Sequence, residues 1–209
     1  MSKLNSYESI AGVYDRLARM VYGSAIRKSQ LVHLKELKQS NEILILGGGT
    51  GWFLEELLKV NSSATVLYLE ASEKMIAMAK KKISDADSRR VSFVHGTEKA
   101  VFQIDHFDAV VINFFADMFP SDELYQVIGR LRDVLKPGGR LLCTDFVNDT
   151  AWQAMLLRVM YIFFGMATGL TTKRLAPWRS IIAELGFKRL CSSAFWGSFI
   201  FSELYKKPR

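Results

Sequence analysis

Apolar runs of strand length alternate with segments of helical spacing along most of the chain. Ile43-Leu44-Ile45-Leu46 is apolar throughout and β-branched at two positions, the pattern of a parallel strand covered on both faces. From Trp52 the pattern turns helical, with Phe53, Leu54, Leu57 and Leu58 on one face and Glu55 and Glu56 on the other. The same succession repeats. Strands are predicted over 64–69, 90–95, 107–112 and 141–146. Helices are predicted from the Ser72 cap to Ile83 and from Pro120-Ser121-Asp122 to Leu135. Before the first strand, residues 5–38 read as two helices broken near Tyr22-Gly23-Ser24. After the fifth strand, 154–167 is apolar save Arg158, and Pro177 opens a helix that ends at Gly186. Phe187–Ala194 and Ser198–Tyr205 then read as an antiparallel hairpin at a sheet edge.

Strand followed by helix, repeated, predicts an α/β domain with a mostly parallel sheet. Its ligand site belongs at the carboxyl end of the first strand, where Gly47-Gly48-Gly49-Thr50-Gly51 brings bare backbone to the surface. Two cofactor classes use such a turn. A dinucleotide fingerprint requires its third glycine where this chain has Trp52, and an indole does not fit a close helix–strand contact. Gly47, Gly49 and Gly51 follow a Gly-x-Gly-x-Gly spacing instead. The second strand ends on Glu70, whose two oxygens are suited to accepting both hydroxyls of a ribose.

Composition narrows the class. At 209 residues and 49% apolar, the chain has the size and content of one globular domain, read as 1–209 with 1–40 as N-terminal helices and 41–209 as the core. Cys143 and Cys191 fall in predicted strands and are expected as reduced core residues. The first residues lack the apolar core of a signal peptide, so a cytoplasmic location is expected. The net charge of +7 is scattered in short clusters without interleaved aromatics, which speaks against a single-strand nucleic-acid groove. A solvated basic surface, or attraction to anionic lipid or an acidic substrate, accounts for it. The apolar 154–167 segment, too short at 14 residues to span a bilayer, needs a cover. Burial beside the sheet, a homodimer partner, or a substrate mouth in peripheral membrane contact would each provide one.

The glycine turn followed by Glu70 resembles the first motifs of the class I S-adenosylmethionine-dependent methyltransferases. Further likenesses come in the family's order. Ala11-Gly12-Val13-Tyr14-Asp15 resembles the entry of the quinone- and small-molecule members, where the tyrosine lies on a helical lid. Asn113-Phe114-Phe115-Ala116-Asp117-Met118-Phe119 resembles motif IV at the tip of strand four. Leu135-Lys136-Pro137-Gly138-Gly139-Arg140-Leu141 resembles the turn into strand five, in which proline stops the helix and glycine turns the chain. The likeness spans about residues 8–205.

The resemblance implies a doubly wound, Rossmann-like seven-stranded sheet of order 3-2-1-4-5-7-6 with an antiparallel last strand and N-terminal lid helices. It implies S-adenosylmethionine as cofactor, no metal, and methyl transfer to a small apolar or aromatic acceptor. Gly47, Gly48, Gly49, Gly51, Glu70, Ala71, Met75, Asn113 and Phe114 are implied at the cofactor. Thr97 or Glu98 takes the adenine-facing place where the family has an aspartate. Tyr14, Tyr22, Phe115 and Met118 are implied at the substrate. In-line displacement at a sulfonium needs alignment and exclusion of water, with a base only for some acceptors; His106, Asp117 and Asp145 are the choices. One departure is Ile45, where the family carries an acidic residue that holds the methionine amino end. It leaves open a binding protein without catalysis. A nucleic-acid methyltransferase is a further alternative, but Asn113-Phe114-Phe115-Ala116 lacks both prolines of an Asn-Pro-Pro-Tyr clamp.

Overall fold

The structure, a computed structural model, describes residues 24–101, 103–157 and 175–209. Seven strands are β1 Glu42–Leu46, β2 Thr65–Glu70, β3 Val91–His95, β4 Phe107–Asn113, β5 Leu135–Phe146, β6 Lys188–Phe195 and β7 Ile200–Lys206. The helices are α1 Ala25–Leu31, α2 Trp52–Val60, α3 Glu73–Lys80, the short α4 Asp85–Ser88, α5 Ser121–Val134, α6 at 151–157 and α7 Trp178–Glu184. The strands form one sheet in the order β3-β2-β1-β4-β5-β7-β6. The β1–β5 ladders are parallel, and β7 runs antiparallel to both β5 and β6. The strand order is the expected one.

Alternation along β1 explains the two-layered cover. Leu44 and Leu46 face a cluster with Val110, Ile112 and Leu141 under α5 and α7. Ile43 and Ile45 face the opposite side, with Ala109, Val111 and Leu142 under α2 and the 3₁₀ turn Leu34–Leu37. Each such fully buried aliphatic side chain contributes about 1.5–3 kcal/mol. A β1 without polar alternation is therefore what a strand with helices on both faces requires.

Three expectations meet a different outcome, and a fourth falls partly outside the described residues. The second N-terminal helix is two pieces, α1 and the 3₁₀ turn Leu34–Leu37. The Lys136–Arg140 segment is not a separate turn but an irregular stretch inside β5. Pairing jumps from Phe107↔Leu135 to Ala109↔Arg140, and Gly138 (φ 80°) absorbs the slack. Cys143 is buried, but Cys191 is exposed, because β6 is an edge strand whose side chains are mostly in solvent. The apolar 154–167 segment continues beyond the described residues. Within its described part Leu157 is buried with Phe146, Phe199 and Ile200, while Met155 is exposed. Among the described residues no helix is long and apolar enough to cross a membrane.

The approach of α2 to α3 sets the base of the glycine turn. Gly51 precedes α2 with φ 81°, and a Cβ there would lie 2.5 Å from Ala79 Cβ and 2.6 Å from Ala79 Cα, on α3. Gly49 has a similar φ of 63°, yet a Cβ there would meet nothing within 4 Å. The two positions separate backbone strain from steric overlap. Gly49→Ala is expected to cost about 1–2 kcal/mol of stability, the left-handed penalty alone. Gly51→Ala adds overpacking and is expected to cost about 2–5 kcal/mol. Urea unfolding of both variants measures the difference; equal losses would mean that the α2–α3 approach yields freely.

Candidate functional site

The carboxyl end of β1 opens into the glycine turn, and the neighbouring strand tips converge on it. Gly47 N–H continues the sheet ladder to Leu69 O at 2.9 Å. The Gly49 N–H then donates to Glu70 Oε2 at 2.8 Å, while Ser72 N–H donates to Glu70 Oε1 at 3.0 Å. Glu70 is only 8% exposed, so these bonds compensate for much of its desolvation. Each carboxylate oxygen keeps a further lone pair. Glu70 is thus an anchor of the turn as well as a candidate ligand group.

Beneath the turn lies Tyr68, which is fully buried. Its hydroxyl donates to Gly49 O at 2.7 Å, and a Cβ on Gly48 would fall 2.2 Å from its ring. Burial, with the Glu70 charge adding to it, pushes the Tyr68 phenol well above its ordinary value, so it remains a donor. Its signal in the sequence is a single aromatic among the aliphatic residues of β2. Ser72 caps α3 by accepting from Met75 N at 3.3 Å, which fixes Ala71 and Met75 beside Glu70. His95, at the tip of β3, reaches Ala71 O at 3.0 Å through Nε2. Next to it, exposed Thr97 caps the 3₁₀ turn Glu98–Ala100, and Glu98 is half-buried.

On the other side of β1 stands the turn after β4. Asn113 ends the strand, and Phe114 adopts a left-handed φ of 51°. Phe114 is half-buried and stacks obliquely on Phe146 at 5.1 Å between centroids, in an apolar group that includes Ile26 of α1, Leu156 and Leu175. Phe115 is a correction to its expected place in a substrate wall. It is 6% exposed and packs in the core, on Phe119 and under Gly47, where a Cβ would be 2.7 Å from its ring. The left-handed Phe114 drives this inversion, sending successive side chains to different sides. Met118 is exposed at 41%. Tyr14 and Tyr22 lie outside the described residues.

Three titratable candidates separate by position. His106 precedes β4 at the amino ends of the strands, with Nε2 3.8 Å from Glu42 Oε2, across the sheet from the glycine turn. Asp145 is fully buried; its Oδ2 accepts from Phe115 N at 3.1 Å, Ala116 N at 2.8 Å and Asp117 N at 3.2 Å, and its Oδ1 accepts from Phe146 N at 2.7 Å. Burial, then the nearby Asp117 carboxyl, push Asp145 upward, while those main-chain donors oppose the shift. Burial likewise raises Asp117 from 3.8 to about 6. Asp117 Oδ1 and Asn113 Oδ1 are buried and have no hydrogen-bond partner among the described residues. Ile45 is 3% exposed within β1 and offers nothing polar to a ligand. No group of three or more His, Cys, Asp or Glu is arranged to hold a metal ion among the described residues.

The strand tips around β1 thus bring together an open glycine, a half-satisfied carboxylate and two buried, unpartnered oxygens. Comparison with known proteins gives the family. A family model described as "Methyltransferase domain" matches residues 43–139. The chain is 32% identical over 151 residues to the ubiquinone/menaquinone biosynthesis C-methyltransferase UbiE of Pseudomonas paraeruginosa (strain DSM 24068 / PA7), covering 69% of this chain and 58% of that one. It is 28% identical over 143 residues to the demethylmenaquinone methyltransferase of Listeria monocytogenes serotype 4a (strain HCC23), covering 66% and 60%. The match therefore spans about three fifths of these relatives' length. In fold, the chain is similar to an O-methyltransferase family protein from Burkholderia thailandensis (TM-score 0.73, 18% identity, 96% of this chain and 59% of that one). It is also similar to the 1,6-didemethyltoxoflavin-N1-methyltransferase of the same organism, solved with S-adenosylhomocysteine (TM-score 0.69, 14% identity, 99% and 88%).

The Asp117 shift has a defined sign. Its folded value of about 6 lies above the ordinary 3.8, so the native state holds the proton more tightly. That stability is complete below the lower value and is lost as pH rises through the higher one. Asp117→Asn keeps the shape without the charge. It should equal wild type near pH 4 and exceed it by on the order of 1–3 kcal/mol near pH 8. Urea unfolding at both pH values tests this; a difference that does not grow with pH counts against it.

Proposed function

We propose, from the premise that the chain belongs to the class I S-adenosylmethionine-dependent methyltransferases, that it transfers a methyl group to a small aromatic acceptor of quinol type. The observation that carries the reading is the pairing of the Glu70–Gly49 cradle with the apolar Phe114 group across β1. Glu70, accepting from the ribose hydroxyls through its remaining lone pairs, would hold the nucleoside. The open face of Gly49 admits a ligand against bare main chain. Ala71, Met75, Thr97 and Glu98 then border the base, and Asn113 and Phe114 border the reacting end. Bound S-adenosylmethionine supplies an electrophilic methyl carbon on a sulfonium.

A flat, greasy acceptor agrees with the half-buried Phe114, Ile26 and Leu156, which pack on the buried Phe146 beside that end. The relatives named for ubiquinone, menaquinone and demethylmenaquinone chemistry support a hydroquinone ring as that acceptor. Residues 1–209 then act as one domain, and Tyr14 and Tyr22 are the residues proposed on the acceptor side from its N-terminal part. A second reading, cofactor binding without turnover, is favoured by Ile45 alone, since it leaves the methionine amino end without an acidic partner from β1.

Calorimetry should show binding of S-adenosylhomocysteine and none of NAD, and a short-chain naphthoquinol should gain one methyl group by mass spectrometry. Glu70→Gln, which keeps the shape but not the charge, should weaken S-adenosylhomocysteine by about 1.5–3 kcal/mol. Glu70→Ala should lose more, because the Gly49 N–H loses its acceptor as well. NAD binding in place of the sulfur ligand would sink the proposal. Binding without turnover on any quinol would select the second reading.

A further inference from the structure

We propose that Asp145 is a positioning residue for the amino-acid end of the cofactor, acting through the main chain of the turn after β4. The proposal rests on the cleft being an S-adenosylmethionine site. Asp145 gathers the consecutive N–H groups of Phe115, Ala116 and Asp117 on a single carboxylate oxygen, at 2.8–3.2 Å. Its second oxygen is held by Phe146 N at 2.7 Å. No salt bridge reaches this fully buried carboxyl among the described residues, so main-chain donors are its compensation.

The dependence runs both ways. Three consecutive amides converge on one point only if the chain curls around it, and the curl is entered through a non-glycine residue, Phe114, at φ 51°. That conformation is one a bulky side chain avoids without an external hold. The curl in turn drives Phe115 beneath Gly47, where there is no room for even a methyl group. Asp145 on β5 therefore reaches the glycine turn on β1 in two steps, by hydrogen bonds to the curl and by the Phe115 ring.

Strand order decides which part of a ligand feels this. Glu70 lies on the β2 side of β1 and the curl lies on the β4 side. A ligand with its ribose at Glu70 crosses the tip of β1 and presents its sulfur and amino-acid chain to the curl. The adenosine half lies a strand or more away. Loosening the curl should then weaken one half of the ligand and spare the other. A residue that merely supports the fold would weaken both.

The test compares S-adenosylhomocysteine with 5′-methylthioadenosine, which has the same adenosine but no amino-acid chain. Calorimetry uses the full chain, as wild type and Asp145→Asn. Asparagine puts an NH₂ donor in place of one accepting oxygen, so either Phe146 N–H or the three amides of the curl lose their acceptor. This should weaken S-adenosylhomocysteine about tenfold to a hundredfold, and 5′-methylthioadenosine less than about threefold. Equal losses for the two ligands, or no loss for either, would overturn the inference while the cofactor reading stands. Wild type that binds neither ligand overturns both. If Asp145→Asn does not fold, amide exchange in wild type takes its place. The amides of Phe115, Ala116 and Asp117 should slow at least about tenfold more with S-adenosylhomocysteine than with 5′-methylthioadenosine; equal slowing rejects the proposal.

Discussion

The hydrogen bond from Gly49 N–H to Glu70 is the constraint on which the cleft depends. A turn this rich in glycine has many conformations open to it, and nothing in its own composition selects one. Glu70 does so from the next strand, at 2.8 Å, and Tyr68 does so from below by donating to the carbonyl of the same residue. Gly49 is thereby gripped at both its N–H and its C=O. Its α-carbon is left facing open space, with no atom within 4 Å of where a side chain would begin. Rigidity of the main chain and vacancy of the side-chain position arise from the same pair of contacts.

The β4 side repeats this logic with a different device. There a carboxylate on β5 collects three main-chain amides, and an aromatic ring transmits the result to Gly47. In both places an acidic residue at a strand tip organises a neighbouring strand's turn rather than pairing with a basic side chain. Charge-assisted bonds to N–H groups are short and directional, which suits them to fixing main chain. A flexible lysine partner would fix far less.

The strands of the sheet were legible because each depends on local pattern, while their order came from the family resemblance. The unbroken apolar run 43–46, the glycines after it and the acid ending β2 are contiguous signals. What was illegible depends on tertiary placement. Asp145 reads as one polar residue at the end of an apolar strand, and nothing local shows that three amides meet it. Phe115 reads as a twin of Phe114, yet the left-handed backbone at Phe114 buries Phe115 under Gly47 and leaves Phe114 half-buried against Phe146. Cys191 lies in a run with Leu190, Ala194 and Phe195 that resembles a core strand, and only its edge position exposes it. The Lys136–Gly139 stretch has every local mark of a turn, but pairing on both sides draws it into β5.

The place of β7 in the sheet has a consequence for biosynthesis. β7 is the last described strand to be made, yet it lies between β5 and β6. A chain leaving the ribosome has β1 to β5 available to pair long before β7 emerges, at about 5–20 residues per second. During that interval the outer edge of β5 carries unpaired N–H and C=O groups, and β6 has no strand to pair with. The nascent domain therefore presents a sticky open edge until β7 slots in between β5 and β6. Completion of the sheet therefore waits on β7, and the edge of β5 stays open for as long as that strand is missing.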